Sequence, residues 1–273
     1  MKNSIQLFFI FLRLGCTSFG GPIAHLGFLH DEFVKRRKWL SDHAYADLVS
    51  LCQILPGPAS SQIGMAIGFF RTGYLGALLA WIGFTLPSAL LLVFFGLGIS
   101  RFSVEESWLH GLKLAAVAVV AQAVWLMASK FCRGKRKASI ALLAAALSMP
   151  PFTPYSQILV IFLGGILGLL FLGENDNPPS FDLSLKMSRT SGAILLTIFF
   201  FLLIFLPLFA AVTNIQNVKY FDSFYRAGAL VFGGGHVVLP LLESEIVAKG
   251  WISKEIFMAG YGAAQAIPGP LFS

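Results

Sequence analysis

Two arginines stand inside apolar stretches of this sequence, Arg13 in LFFIFLRLGCTSFGG and Arg226 in YRAGALVFGGG. A guanidinium stays charged at physiological pH and presents a fork of N–H donors that matches an oxyanion. Placing one within a bilayer costs about 2.5–3.5 kcal/mol on insertion scales, which points to an ion pathway or an ion pair. The alternative is that each snorkels, or pairs with a glutamate of its own segment. A glycine break follows each arginine, Gly20-Gly21 in one case and Gly233-Gly234-Gly235 in the other. Such a break lets backbone N–H groups face a cavity, and a helix beginning there offers its positive end to an anion. Glycines also serve close helix packing. Farther on, Gln53 precedes Pro56-Gly57-Pro58, and Gln265 precedes Pro268-Gly269-Pro270. Proline removes a backbone donor and crowds the preceding turn, so Pro-Gly-Pro interrupts a helix. The freed amides and carbonyls could meet a substrate, hinge a gate, or form only a turn. Ser60 and Ser61, directly after the first break, could donate to an oxyanion.

Four titratable residues could carry a coupling proton. His236 follows its glycines directly, whereas His25 lies two positions later in its own segment. Glu32 and Glu245 could relay protons or balance the arginines, or simply face solvent. Trp39 and Trp251, beside charged loops, suit interfacial anchoring. Cys16, Cys52 and Cys132 have neither disulfide nor metal spacing. No nucleotide-binding, zinc or nucleophile-elbow motif occurs, so no enzymatic activity, cofactor or metal is expected.

These features recur because the sequence repeats itself. Residues 13–58 align with 226–270 with a single one-residue gap near Lys38. Arg13 pairs with Arg226, Gly15 with Gly228, and Phe19-Gly20-Gly21 with Phe232-Gly233-Gly234. Glu32 pairs with Glu245, Trp39 with Trp251, Ser41 with Ser253, Gln53 with Gln265, and the two Pro-Gly-Pro motifs with each other. Chance similarity between apolar stretches favours Leu, Ala and Val, not Arg, Glu, Trp, Gln, Gly and Pro in order. Residues 1–213 read as a complete first unit and 214–273 as the start of a second.

The elements that must hold these residues are membrane helices. Hydrophobic residues make up 56% of the 273 and charged residues only 12%, against about 25% charged in soluble domains. Residues 75–100, 138–173 and 191–212 contain no Asp, Glu, Lys or Arg, and a crossing needs roughly 20 apolar residues. The net charge of +7 is concentrated in short loops, the cytoplasmic bias of inner-membrane proteins, and nucleic-acid binding is not expected. Lys35-Arg36-Arg37-Lys38 and the basic cluster at 130–137 both belong inside. Their parity requires residues 44–70 to enter, break at Pro56-Gly57-Pro58 and return as a re-entrant hairpin. Five crossings then separate the two signatures, so the second copy is inverted. The less basic loop at 243–255 suits the outer face. The expected fold is an all-α polytopic membrane protein of two homologous, inverted units, with broken or re-entrant helices at Phe-Gly-Gly and Pro-Gly-Pro. Paired interruptions in two halves point to a transporter's binding site.

The segments LRLGCTSFGGPIAHLGFLHDEFVKRRKWL and DLVSLCQILPGPASSQIG resemble the N-terminal signature of the chromate ion transporter family. GALVFGGGHVVLPLLESEIV and AAQAIPGPLF resemble its C-terminal repeat. The resemblance implies export of chromate across the bacterial inner membrane by homologous halves of opposite topology. Gly20, Gly21, Pro22 and Pro56–Pro58 match the motif in the first half; Gly233–Gly235, His236, Glu245, Gln265 and Pro268–Pro270 match it in the second. The expected partners are chromate or a similar oxyanion such as sulfate, the lipid bilayer and a second copy of the chain. The expected coupling is to protons. The sequence stops three residues past the second Pro-Gly-Pro, so a shortened second unit is expected. An inactive remnant or an assembly partner is the non-transport alternative.

Overall fold

The computed structural model describes residues 2–101, 134–147, 154–171, 187–231 and 238–270, with scattered positions between 111 and 132. All regular structure among the described residues is helical. The chain forms two compact units, Met1–Val117 with Phe181–Ser273, and Ala118–Ser180.

In the first unit, α1 (Lys2–Thr17) runs to the first glycine break and α2 (Gly21–His30) leaves it, continuing as a π-helical segment to Arg36. Helix α3 (Asp42–Ile54) ends at Pro-Gly-Pro, and α4 (Ala59–Arg101) begins after it. Helix α4 is two arms. Thr72 and Gly73 leave helical geometry, Gly73 at φ +71°, a conformation that only glycine adopts without strain. The arms then fold together so closely that a Cβ on Gly68 would clash with the Gly76 carbonyl. Leu7, Phe11 and Leu14 of α1, Phe33, Leu48 of α3, and Ile63, Ile67 and Phe84 of α4 form the buried core.

The unit continues with α7 (Arg189–Thr213), α8 (Gln216–Ala229), α9 (Val238–Leu242), a second π-helical segment (Glu243–Val247) and α10 (Lys254–Ala266). Helix α7 rises roughly 37 Å at 1.5 Å per residue, and its Leu196, Phe201, Ile204, Leu208 and Val212 are exposed. It and α4 are long and apolar enough to cross a bilayer. The expected spans at 75–100 and 191–212 thus fall on the second arm of α4 and on α7.

In Ala118–Ser180, α5 (Lys135–Leu147) packs against α6 (Pro154–Phe171). Thirteen residues of α5 rise roughly 20 Å, short of a hydrocarbon core of ~30 Å. The sequence alone places a turn at 150–154 and a polar loop at 174–189; of these, only Pro154 and residues 187–189 are among the described residues.

The duplicated motifs make duplicated local structure. Ser41 caps α3 by accepting from the Ala44 N–H, and Ser253 caps α10 by accepting from the Ile256 N–H; such a cap is worth ~1 kcal/mol. A π-helical segment precedes each capped helix. Both helices end on an extended residue, Leu55 or Ile267, and the following glycine takes φ +116° at Gly57 and φ +106° at Gly269.

Equivalent glycines nevertheless meet different surroundings. A Cβ on Gly15 would sit 2.5 Å from the Phe84 carbonyl oxygen, whereas one on Gly228 meets nothing within 4 Å. Overpacking a tight contact costs about 1–3 kcal/mol or more. Gly15→Leu is therefore expected to lower the thermal midpoint and yield of the purified protein sharply, and Gly228→Leu to leave both near wild type. Equal loss in both would contradict the close α1–α4 contact.

Candidate functional site

The two broken loops of each repeat grip the loops of the other. The Gly57 N–H, in the first Pro-Gly-Pro, donates to the Val231 carbonyl at 2.7 Å, one residue before the second Phe-Gly-Gly. The Gly269 N–H, in the second Pro-Gly-Pro, donates to the Ser18 carbonyl at 2.8 Å, one residue before the first Phe-Gly-Gly. Ser18 is the counterpart of Val231 and Gly57 of Gly269, so the pair of bonds is reciprocal. Each Pro-Gly-Pro leaves a single glycine N–H between two prolines that have none, and in both repeats that donor crosses to the other unit.

Around the Ser18–Gly269 junction, polar groups are buried and not internally satisfied. Gly20 and Gly21, at φ +92° and +76°, turn the chain into the N-terminus of α2, and no side chain caps it. Four first-turn N–H positions of a helix lack an intrahelical partner; with Pro22 in that turn, the remaining donors point out of the helix. Gln265 donates from Nε2 to the Tyr261 hydroxyl at 2.8 Å. Its Oε1 is buried without a partner among the described residues and would lie 3.6 Å from a Cβ on Gly21. The Ser18 hydroxyl, both ring nitrogens of His25 and the Thr85 hydroxyl are also buried with no hydrogen bond among the described residues. The His25 ring packs edge-on against Phe84 at 5.6 Å, and the Ser18 backbone lies beside it. On α4, Ser88 approaches Gly269 so closely that a Cβ there would meet its Oγ at 2.7 Å.

An unsatisfied buried polar group costs about 1–3 kcal/mol, so a cluster of them suits a site that receives a polar guest. The donors and acceptors are neutral, and the local positive field comes from the α2 terminus. At the Gly57–Val231 junction, Ser60 and Ser61 are buried at the start of α4, Gln53 is half-buried, and Gln62 donates to the Pro56 carbonyl at 2.7 Å. Gly233, Gly234, Gly235 and His236 lie outside the described residues.

The structure brings Gly20, Gly21, Gln265, Pro268, Gly269 and Pro270 together, and places His25 beside the same turn. It does not bring the two arginines there. Arg226 makes a two-point pair with Asp222, Nε to Oδ1 at 3.1 Å and Nη2 to Oδ2 at 2.8 Å. Its Nη2 also reaches Glu245 at 3.1 Å, and Glu245 takes Lys249 at 2.6 Å and the Ser223 hydroxyl at 2.9 Å. Arg13 is on the exposed face of α1, with no carboxylate in ion-pair reach among the described residues. Phe9 stands where the second repeat has Asp222. Glu32 binds Arg36 at 2.8 Å and Arg37 at 2.6 Å. Burial pushes both glutamates up, but the cations and donors around them outweigh it and hold both below the usual carboxylate range.

Ser18, Thr85 and Ser88 were not singled out by sequence. Ser18 has a valine as its counterpart, so the repeat gave no pairing to notice. Thr85 and Ser88 flank Pro87 inside an otherwise apolar run, and that polar interruption was the available signal.

The chromate transporter family model matches residues 5–169 and 218–273 of the chain. A probable chromate transport protein of Synechococcus elongatus is 30% identical over 97% of this chain and 66% of its own length. The chromate transport protein of Cupriavidus metallidurans is 27% identical over 97% of this chain and 64% of its own. An uncharacterized transporter of Methanocaldococcus jannaschii is 26% identical over 98% and 67%, respectively. The chain thus spans about two thirds of the length of these curated relatives. No solved structure matches it.

Proposed function

This chain belongs to the chromate transporter family, and we propose that it moves chromate across the bacterial inner membrane through a site where the broken loops of its two repeats cross. The reciprocal pair of bonds, Gly57 to Val231 and Gly269 to Ser18, carries this reading. Irregular backbone at membrane depth survives only where protein or a polar cavity covers it. Here each irregular loop is held by the other repeat, and unsatisfied buried polar groups line the Ser18–Gly269 junction. The α2 terminus, Ser18 and Gln265 are the proposed first contacts of the oxyanion, with Gln53, the counterpart of Gln265, and Ser60 at the other junction.

The reciprocity also supports a two-fold relation between residues 1–213 and the segment from 214 onward. Reciprocal contacts between equivalent positions are what a two-fold axis generates. The strongly basic loop at 35–38 and the less basic loop at 243–255 favour opposite sides of the membrane. Together they favour an axis in the membrane plane and hence inverted repeats, an argument that does not depend on α5 crossing. Helix α3 and the first arm of α4, each too short to cross, form the re-entrant hairpin around Pro-Gly-Pro.

Among the candidates for proton coupling within the described residues, His25 is favoured. Glu32 and Glu245 are held ionised by their cations. His25 is buried beside the Ser18 backbone at the junction, and its counterpart Val238 fills the equivalent buried position with an aliphatic side chain. Packing alone therefore does not require histidine. Outward transport would be driven by proton entry.

Chromate uptake into everted membrane vesicles tests the site. Gln265→Leu is expected to reduce uptake roughly tenfold or more, as loss of hydrogen-bonded recognition does, with the protein still present in the membrane. His25→Val is expected to keep the protein folded and to remove the dependence of uptake on an imposed pH gradient. Wild-type uptake by Gln265→Leu would sink the site; retained gradient dependence in His25→Val would sink the coupling role. Chromate and sulfate share shape and charge, so sulfate competition in the same vesicles separates the two substrates.

A further inference from the structure

A cavity lies at the far end of α1 from the crossing. Gln6, Leu7 and Ile10 of α1, Trp39, and Arg71 and Thr72 at the turn of α4 enclose about 80 Å³, several times the roughly 10–15 Å³ that one water needs. Gln6 and Ser18 are separated by roughly 15–18 Å along the helix axis, so this space is distinct from the proposed transport site. The Arg71 guanidinium lies 4.3 Å from the centre of the Trp39 ring, and that of Arg37 lies 5.3 Å from it. Stacking on an indole fixes the plane of a guanidinium and leaves its N–H edge for another group.

The neighbouring carboxylates are already committed. Glu32 holds Arg36 and Arg37, Asp31 holds Lys35 at 2.8 Å, and Asp42 holds His30 at 2.8 Å. Among the described residues no carboxylate is in ion-pair reach of Arg71. Its charge therefore stands beside an open polar cavity, next to the basic run Lys35–Lys38. In the second repeat the Lys249 ammonium lies 5.1 Å from the centre of the Trp251 ring, and Glu245 binds it at 2.6 Å. Tyr220, the counterpart of Leu7, sets its ring edge-on against Trp251 at 4.5 Å.

We propose that this cavity is a second anion site, one that takes a phosphate-type oxyanion at the membrane face carrying the basic loop, with Arg71 as its principal ligand and Gln6 as a further donor. A tetrahedral phosphate offers acceptors to the guanidinium edge and to the amide together. The group is either the headgroup phosphate of an anionic lipid or free inorganic phosphate.

The full chain, purified in neutral detergent, separates these sources. Its thermal midpoint is followed with inorganic phosphate against chloride at equal ionic strength. It is also followed with phosphatidylglycerol against phosphatidylcholine at equal mole fraction. A ligand bound only by the folded state raises the midpoint, and a rise of about 3 °C or more is expected with at least one probe. Arg71→Gln should remove most of that rise, Gln6→Leu should roughly halve it, and Lys254→Gln, an exposed lysine of the second repeat, should leave it intact. A rise with phosphatidylglycerol alone identifies the lipid headgroup; a rise with inorganic phosphate identifies the free anion. No rise with either probe, or a full rise in Arg71→Gln, overturns the site. If Arg71→Gln does not accumulate, Arg71→Lys keeps the charge but gives up the planar fork. It should lose at least half of the response, and an undiminished response would likewise overturn the site.

Discussion

Gly269→Val is expected to abolish chromate uptake in everted vesicles and to destabilise the protein by about 2–6 kcal/mol, the sum of two penalties. The first is conformational: at φ +106° a β-branched residue is strained by about 1–3 kcal/mol. The second is steric: the new Cβ would lie 2.7 Å from Ser88 Oγ and 2.9 Å from Ser88 Cβ, and overpacking adds about 1–3 kcal/mol. Ser88→Gly in the same chain should recover the steric part and leave the conformational part, so the double variant should be more stable than Gly269→Val alone. Gly57→Val is the internal comparison. It carries the same kind of backbone strain at φ +116°, but its Cβ meets only the Gln62 side chain, Nε2 at 2.6 Å, which can move aside at the cost of its hydrogen bond to the Pro56 carbonyl. Its loss of stability should be smaller, while its loss of uptake should be as complete, because the Gly57–Val231 bond is the mirror of the Gly269–Ser18 bond. Near-normal uptake by both variants would remove the crossing from the mechanism.

Arg226→Gln should act on folding before it acts on transport. Asp222 and Glu245 are both buried, and Arg226 is the cation they share. Removing one partner of a buried ion pair typically costs 3–5 kcal/mol, because an uncompensated charge remains. Lys249 would still neutralise Glu245 at 2.6 Å, so the cost falls mainly on Asp222. Arg226→Gln combined with Asp222→Asn should therefore recover much of the loss, a coupling that a double-mutant cycle reads directly. Protein abundance and thermal midpoint are the measurements. If Arg226→Gln is as stable as wild type and only the chromate concentration for half-maximal uptake rises, Arg226 is a substrate ligand and the ion-pair role is wrong. Arg13→Gln, with no carboxylate to strand, should leave stability within about 0.5 kcal/mol, as surface changes usually do.

The contrast between the two arginines shows where sequence reasoning reached and where it stopped. Their equivalence was legible, because Arg13 and Arg226 occupy one position of a repeat. Their different environments were legible in principle too. Asp222 lies four residues before Arg226, which sets them on one helix face, and Phe9 stands at that place in the first repeat. The reach of Arg226 to Glu245 was not legible, since it depends on how α8 meets the π-helical segment after α9. The glycine breaks are legible from composition and spacing alone, and the positive φ angles at Gly20, Gly21, Gly57 and Gly269 are ones that glycine adopts without strain. Which glycine N–H bonds to which carbonyl was not.

By itself the sequence determined the helical membrane class, the duplication, the places where helices break and the family. Those are consequences of residue type and local spacing: missing charge over long runs, proline without an N–H, glycine without a Cβ. The tertiary structure alone decided that each Pro-Gly-Pro loop bonds across to the other repeat, that Ser18, His25, Thr85 and Gln265 are left unsatisfied around one junction, and that Arg226 is consumed by carboxylates while Arg71 stacks beside an open cavity. The physical reason is that hydrogen-bond satisfaction and charge compensation are settled between groups far apart in the chain. A residue's type fixes what it can donate or accept, and only packing fixes whether a partner stands within 3 Å.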